Sequence, residues 1–571
     1  METIAFHIGS LEQPVQSTLS AFQEQDIINR LWKKDHTIWR SEEVHRKSIL
    51  NRLGWLTSVE LMQSRAGELA AFAGEIKNAG FTHAVVLGMG GSSLCPDVCR
   101  ATFGSAPGFP QLLVLDSTNP SSVARIEQAI DIATTLFIVA SKSGGTTETN
   151  TFYQYFYDCV GKAKENPGEN FVAVTDADTK MESIAKQMQF RKIFINPGDI
   201  GGRFSALSYF GLVPMAVIGM EISGILASAA REIACCRDTQ FGVNAAAKIG
   251  VVMGEAYKAG MDKLTFITSP GISTFCYWTE QLIAESTGKE GKGIVPIEGE
   301  MLPKLSGVSK YSNDRVFVFL LLQKDAVSFE PLMKALIDDG RPCISVVIED
   351  EYGLGGEFFR WEFATAVAGV VMNINPFDEP NVKESKDNTV RVIEEFKSTG
   401  TLPAKPVLAQ RNALELMCEA DYSKQLLTAA KSDDFAKLLA AHLTASPGYD
   451  YIAILAYVDQ NDANVERLRG IREKIREVSG CAVTLGFGPR YLHSTGQLHK
   501  GGRPNGIFLM ITADESCDAK IPGEQFSFEV LKNAQALGDY RSLASRSFRL
   551  AQIHLNSAIE KGLKQIEAMI S

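Results

Sequence analysis

Between residues 141 and 149 the chain reads Ser-Lys-Ser-Gly-Gly-Thr-Thr-Glu-Thr. Ser141, Ser143, Thr146 and Thr147 bring hydroxyls, Lys142 brings an ammonium, and the two glycines let backbone N–H groups approach an anion. A helix beginning near Thr146 would turn its positive end toward the same point. The combination suits a phosphate monoester, and it lacks the G-x-x-x-x-G-K-S/T of a P-loop. A second segment, Gly88-Met89-Gly90-Gly91-Ser92-Ser93, offers Gly91 and Ser92 in a similar setting. It lacks the third glycine of G-x-G-x-x-G, and Asp116, which ends the next apolar run, is followed by Ser-Thr-Asn-Pro. A nicotinamide site is therefore the weaker reading. One Ser/Thr/Gly run is usually a turn with a helix cap, but two at strand ends of one sheet favour a ligand.

A third polar stretch, Arg490 to Gly502, contains His493, Gln497, His499 and Lys500 among glycines. The two histidines are six residues apart with Gly496 between them. That spacing does not suit a helical metal pair, so a sugar-contacting loop is the better reading.

These segments need strands to carry them. HAVVLGMGG, QLLVLDS, TLFIVASKSGG, NFVAVTDA and KIFINPGD are short apolar runs separated by amphipathic helical stretches. Such alternation implies βαβ units and a parallel sheet covered on both faces. LTFITS, RVFVFLLL and CISVVIE repeat the pattern, and YDYIAILAYV, AVTLGFG and GIFLMIT give it a third time. The expected organisation is a helical arm over 1–75, doubly wound α/β units over 76–240 and 241–402, and a C-terminal α/β region over 403–571. A Pro-rich stretch near 399–410 reads as the linker before that region.

Composition excludes several classes. With 57 Lys and Arg against 67 Asp and Glu, the net charge is −10, which argues against nucleic acid as a partner. No apolar run reaches the ~18 residues of a membrane span. The N-terminus lacks the pattern of a signal peptide. Ten cysteines without metal-site spacing read as reduced thiols of a cytoplasmic protein.

The phosphate segments resemble those of the sugar-isomerase domain, and more narrowly those of glucose-6-phosphate isomerases. Gly201-Gly202-Arg203-Phe204-Ser205 is similar to that family's GGR(F/Y)S. Glu285-Ser286-Thr287-Gly288-Lys289 is similar to its ESNGK. Pro376-Phe377-Asp378-Glu379-Pro380 through Lys386 is similar to its NPFDQPGVExxK. The motifs fall in family order over about residues 80–390. The resemblance implies two doubly wound sugar-isomerase domains plus the C-terminal region. It implies phosphate binding by Ser92, Ser141, Lys142, Ser143 and Thr146, with Gly91 beside them, and it places Arg203 by the reacting carbons. Glu285 is implied as the base that moves a proton between C1 and C2, and Lys386 as a sugar contact. No cofactor or metal is implied, and the ligand is a small sugar phosphate. A homodimer is implied because family members share sites across subunits. The chemistry is coherent: an enediol route needs one carboxylate to take and return a proton, and a fixed cation to stabilise the developing oxyanion.

The chain departs from the family pattern twice. Glu379 stands where the family has Gln. No histidine lies between Glu285 and Lys386, so a ring-opening histidine must come from elsewhere. His493 and His499 are the candidates, with Gln497 and Lys500 as neighbouring sugar contacts. Their HSTGQLHKGG stretch resembles the isomerase half of fused transaldolase/glucose-6-phosphate isomerase proteins. The expected reaction is interconversion of glucose 6-phosphate and fructose 6-phosphate. The alternatives are another sugar-phosphate aldose–ketose isomerase and a non-catalytic sugar-phosphate-binding regulator.

Overall fold

The computed structural model describes residues 3–302, 305–556 and 558–570. The first sheet is wholly parallel, in the order Gln111–Leu115, His83–Gly88, Thr135–Ala140, Phe171–Asp176, Lys192–Asn196. Its central strand, Thr135–Ala140, is buried along its whole length, as a strand covered on both faces must be. Numbered within the unit, the order is 2-1-3-4-5. In such a sheet the crevice for a ligand opens where the winding reverses, between the first and third strands. Those strands are His83–Gly88 and Thr135–Ala140, which lead into the two hydroxyl-rich segments.

The second sheet runs Ile4–His7, Cys343–Ile348, Arg315–Leu322, Lys263–Thr268, Val295–Ile297. Its four parallel strands repeat the 2-1-3-4 winding. The third sheet runs Val407–Arg411, Leu414–Met417, Arg549–Leu555, Gly506–Ala513, Tyr451–Tyr457, Ala482–Phe487. Its four parallel strands are wound in the same order again, with an antiparallel hairpin added at one edge.

The first residues are not wholly helical. Ile4–His7 pairs antiparallel with Cys343–Ile348 and closes the open edge of the second sheet. The helices that follow pack into a core shared by the first and second units. At its centre lies the helix Leu354–Met372, buried on nearly every side, which is why its sequence shows no polar stripe. The stretch around 207–260 is three helices, Tyr209–Val217, Ile222–Arg237 and Ala245–Lys258.

The third unit points the carboxyl ends of its strands at the first unit, where a helix start fills the crevice. Glu515 accepts from Asn119 Nδ2 at 2.7 Å and from Ser121 Oγ at 3.1 Å. Asp459 accepts from Ser122 Oγ at 2.7 Å and pairs with Arg125 at 2.6 Å. The helix these residues begin is Pro120–Ala129, so two carboxylates meet its positive end. The described cysteines are all free. No described helix is long and apolar enough to cross a membrane.

Candidate active site

A cleft of about 410 Å³ opens at the switch point of the first sheet, within the size range of small-molecule sites. One wall is the 141–149 segment. Thr146 is the N-cap of the helix Thr147–Ala163, but its side chain makes no capping bond. It accepts instead from Ser141 Oγ at 3.2 Å. Ser143 and Thr146 line it directly. Gly91 is required by a close approach: a Cβ there would lie 1.9 Å from the Gly202 carbonyl oxygen. Gly90, at φ +56°, would likewise press on Gln281 Nε2 and the His493 carbonyl. The glycines thus let the phosphate-type loop touch the Arg203 turn, the Glu285 helix and the third unit at once.

The opposite wall is the helix Phe275–Thr287. Glu285, buried near its end, places Oε1 3.1 Å from Arg203 Nη1. Its other oxygen accepts from Gln281 Nε2 at 3.1 Å, one helical turn back. Burial pushes the Glu285 carboxyl above the ordinary glutamate range. The Arg203 charge opposes that rise and the Glu379 carboxylate adds to it. Arg203 Nη2 donates to the carbonyls of Pro376 and Asp378, each at 3.3 Å. The turn offering those carbonyls is anchored by Lys289, whose ammonium pairs with Asp378 at 2.9 Å. Burial brings Lys289 down to about 8, against the pull of Asp378.

The third unit supplies the remaining corner. The turn Arg490–His493 follows the strand Ala482–Phe487. Arg490 holds the turn by reaching Asp116 at 3.2 Å and Asp97 at 3.5 Å in the first unit. His493 enters the cleft with Nε2 3.0 Å from Glu148 Oε1, and its carbonyl accepts from Gln281 at 2.7 Å. Glu148 also accepts from Gln535 Nε2 at 2.7 Å. Burial works to raise the Glu148 carboxyl, but the His493 charge and hydrogen bond hold it below the usual range. Lys386, on the helix Val382–Thr399, lines the cleft beside His493.

The phosphoglucose isomerase family model matches residues 60–301, the span that carries both hydroxyl-rich segments, Arg203 and Glu285. Glucose-6-phosphate isomerase of Lactobacillus helveticus is 29% identical over 287 residues, 44% of this chain and 64% of that protein. The enzyme of the same name from Shouchella clausii is 28% identical over 355 residues, 53% of this chain and 78% of that protein. Over residues 60–301 the chain resembles the phosphoglucose isomerase family. The structure of a glucose-6-phosphate isomerase from Chlamydia trachomatis shares its fold, with a TM-score of 0.59 at 18% identity over 70% of this chain and 89% of that one. A hypothetical protein from Thermus thermophilus does so with a TM-score of 0.58 at 22% identity, covering 68% of this chain and 99% of that one.

Of the residues singled out from sequence, the fold gathers Gly91, Ser92, Ser143, Thr146, Arg203, Glu285, Lys386 and His493 around one cleft. Lys142 also borders it, but its ammonium is engaged by Asp176 and the Gly198 carbonyl. Ser141 stands behind Thr146 rather than in the cleft wall. Three expected contacts lie elsewhere. The short helix Gly496–Gly501 turns His499 inward among Tyr451, Tyr491 and Phe508, where neither ring nitrogen has a hydrogen-bond partner. Burial and the neighbouring Lys500 push it down to about 3, so it is a neutral packing group. Lys500 is buried against Asp539 at 2.7 Å. Gln497 accepts from the Asn381 amide and donates to the Gly288 carbonyl, both at 2.8 Å.

Sequence reasoning missed Gln281, Glu148 and Gln535. The first is visible as an i, i+4 partner of Glu285. Glu148 sits inside the phosphate-type segment itself, where its value as a carboxylate was masked by the hydroxyls. Nothing local marks Gln535.

Proposed function

We propose that the chain interconverts glucose 6-phosphate and fructose 6-phosphate in this cleft. The observation that carries the reading is Glu285, a buried carboxylate beside a fixed guanidinium, facing a hydroxyl-rich helix start across one cleft. The phosphate would be held by Ser92, Ser143, Thr146 and the first-turn amides, with Ser141 and Lys142 behind them. His493 and Lys386 stand where the sugar ring would lie, and Glu148 fixes the imidazole for proton transfer to and from the ring oxygen and the C1 hydroxyl. With the chain open, Glu285 takes the proton from C2, an enediolate forms, the hydroxyl proton passes from O2 to O1, and the same carboxyl returns its proton to C1. Arg203 stabilises the charge that develops on the C1 and C2 oxygens. Its guanidinium stays protonated and so does not compete for the proton. A homodimer of this chain would carry two such sites. A role in glycolysis or gluconeogenesis, in the cytoplasm, follows from the same reading.

The test is a coupled assay of fructose 6-phosphate conversion by the native protein and by Glu285→Gln. Turnover by the native protein, reduced at least ~10³-fold in the variant with substrate binding retained, supports both reaction and base. Binding without turnover in both would overturn the catalytic reading in favour of a sugar-phosphate-binding regulator.

A further inference from the structure

Arg203 has two carboxylates on one nitrogen. Nη1 lies 3.1 Å from Glu285 Oε1 and 3.4 Å from Glu379 Oε2. Its Nη2 is tied to the carbonyls of Pro376 and Asp378, so the guanidinium cannot swing toward either carboxylate. Glu379 itself is held in place, because Lys289 and Asn375 both grip the neighbouring Asp378. It keeps 40% of its side chain in solvent where Glu285 keeps 10%. Glu379 therefore keeps more of its hydration than Glu285 does. The family pattern has a neutral Gln at this position.

We propose that Glu379 is a positioning residue for the proton transfer: it competes with Glu285 for the Arg203 guanidinium and so leaves Glu285 a stronger base. The inference rests on the catalytic reading above. The groups facing Glu285 are Arg203 from the glycine turn, Glu379 from the 376–381 turn, Gln281 on its own helix and His493 from the third unit. Lys289 faces Arg203 and Glu379 from the end of that helix. Arg203 and His493 favour the ionised form of Glu285, and Glu379 is the anion among them that opposes it. This agrees with the direction in which Glu379 moves the Glu285 carboxyl. A carboxylate whose cation is shared binds a proton more tightly, which speeds abstraction once it is ionised but requires a higher pH to ionise it.

Glu379→Gln removes the charge and keeps the shape. The acidic limb of the kcat/KM–pH profile is expected to move about half a unit or more to lower pH, because a like charge is lost beside the base. The plateau kcat is expected to fall several-fold, with KM little changed. Carbon-13 NMR titration of the Glu285 carboxyl, assigned by its loss in Glu285→Gln, reads the same shift without turnover. It therefore separates failure of this proposal from failure of the catalytic reading. Glu379→Ala carries the same titration should the Gln variant not fold. An unmoved titration midpoint overturns the proposal, and so does a large rise in KM with the acidic limb unmoved, which would make Glu379 a substrate contact.

Discussion

Two histidines six residues apart have opposite environments, and that contrast is testable. His493 is aimed into the cleft and held by Glu148. His499 is sealed among aromatic rings. His493→Ala is expected to lower turnover of the cyclic sugar phosphate by ~10²-fold, the usual range for a lost general acid–base group. His499→Leu is expected to leave turnover close to native. Its effect should appear in stability instead. Burial, chiefly, depresses His499 from 6.5 to about 3 in the folded chain. Below pH 6.5 the unfolded chain therefore binds a proton that the folded chain refuses. Stability is full above that pH and is lost as pH falls through the window toward 3. His499→Leu should remove up to ~1.4 kcal/mol per pH unit of that acid-side slope, read as a flatter dependence of unfolding midpoint on pH. An unchanged slope would mean the imidazole is solvated. The sequence offered both histidines as candidates for the site, and the choice depended on which way a six-residue helix turns. Likewise Glu379 was visible as a departure, while its partner Arg203 lies 176 residues away and only the fold brings them together.

At the scale of elements, the most legible features were the parallel strands, because a strand buried on both faces is a plain apolar run. The helix start after Thr146 also fell where its sequence signals put it. The less legible elements were those whose partners are distant. Ile4–His7 is four residues long and gains a sheet only by reaching strand 343–348. Arg549–Leu555 carries Arg, Gln and His among its apolar positions, and one of its two partners, Leu414–Met417, is remote in the chain. A contact between elements sets the next prediction. Gly288 ends the Glu285 helix, and a Cβ there would lie 2.3 Å from Leu498 Cα and 2.7 Å from the Ala284 carbonyl. The helix end and the third unit are therefore in backbone contact. Gly288→Ala should force them apart, cost ~1–3 kcal/mol as overpacking does, and lower kcat because Glu285 moves with the helix. A melting temperature and kcat both equal to native would show the interface to be compliant.

For the whole molecule, one winding recurs three times, yet the first and third crevices meet different fates. The first holds the cleft. The third is filled by the helix start at 119–125, so that unit serves as a clamp rather than a second ligand site. Its grip is broad: Asp539 accepts from Ser385 at 3.2 Å, Ser542 accepts from Asn388 at 2.8 Å, and Arg546 pairs with Glu384, all along the helix that carries Lys386. The same unit delivers His493 and braces Glu285 through Gln281 and Leu498. The resemblance implies a homodimer of enzymes that share sites across subunits, and within one copy of the folded chain His493 meets Glu148 and lines the cleft with Glu285. Mixing Glu285→Gln with His493→Ala decides between the two arrangements. If each site draws on one chain, every mixed dimer holds one site lacking the base and one lacking the imidazole, and activity stays at the sum of the two residual rates. If the histidine crosses between subunits, half the sites in a mixed dimer are whole, and a statistical mixture should recover roughly a quarter of native turnover. The geometry requires the first result, measured after co-expression so that exchange is complete.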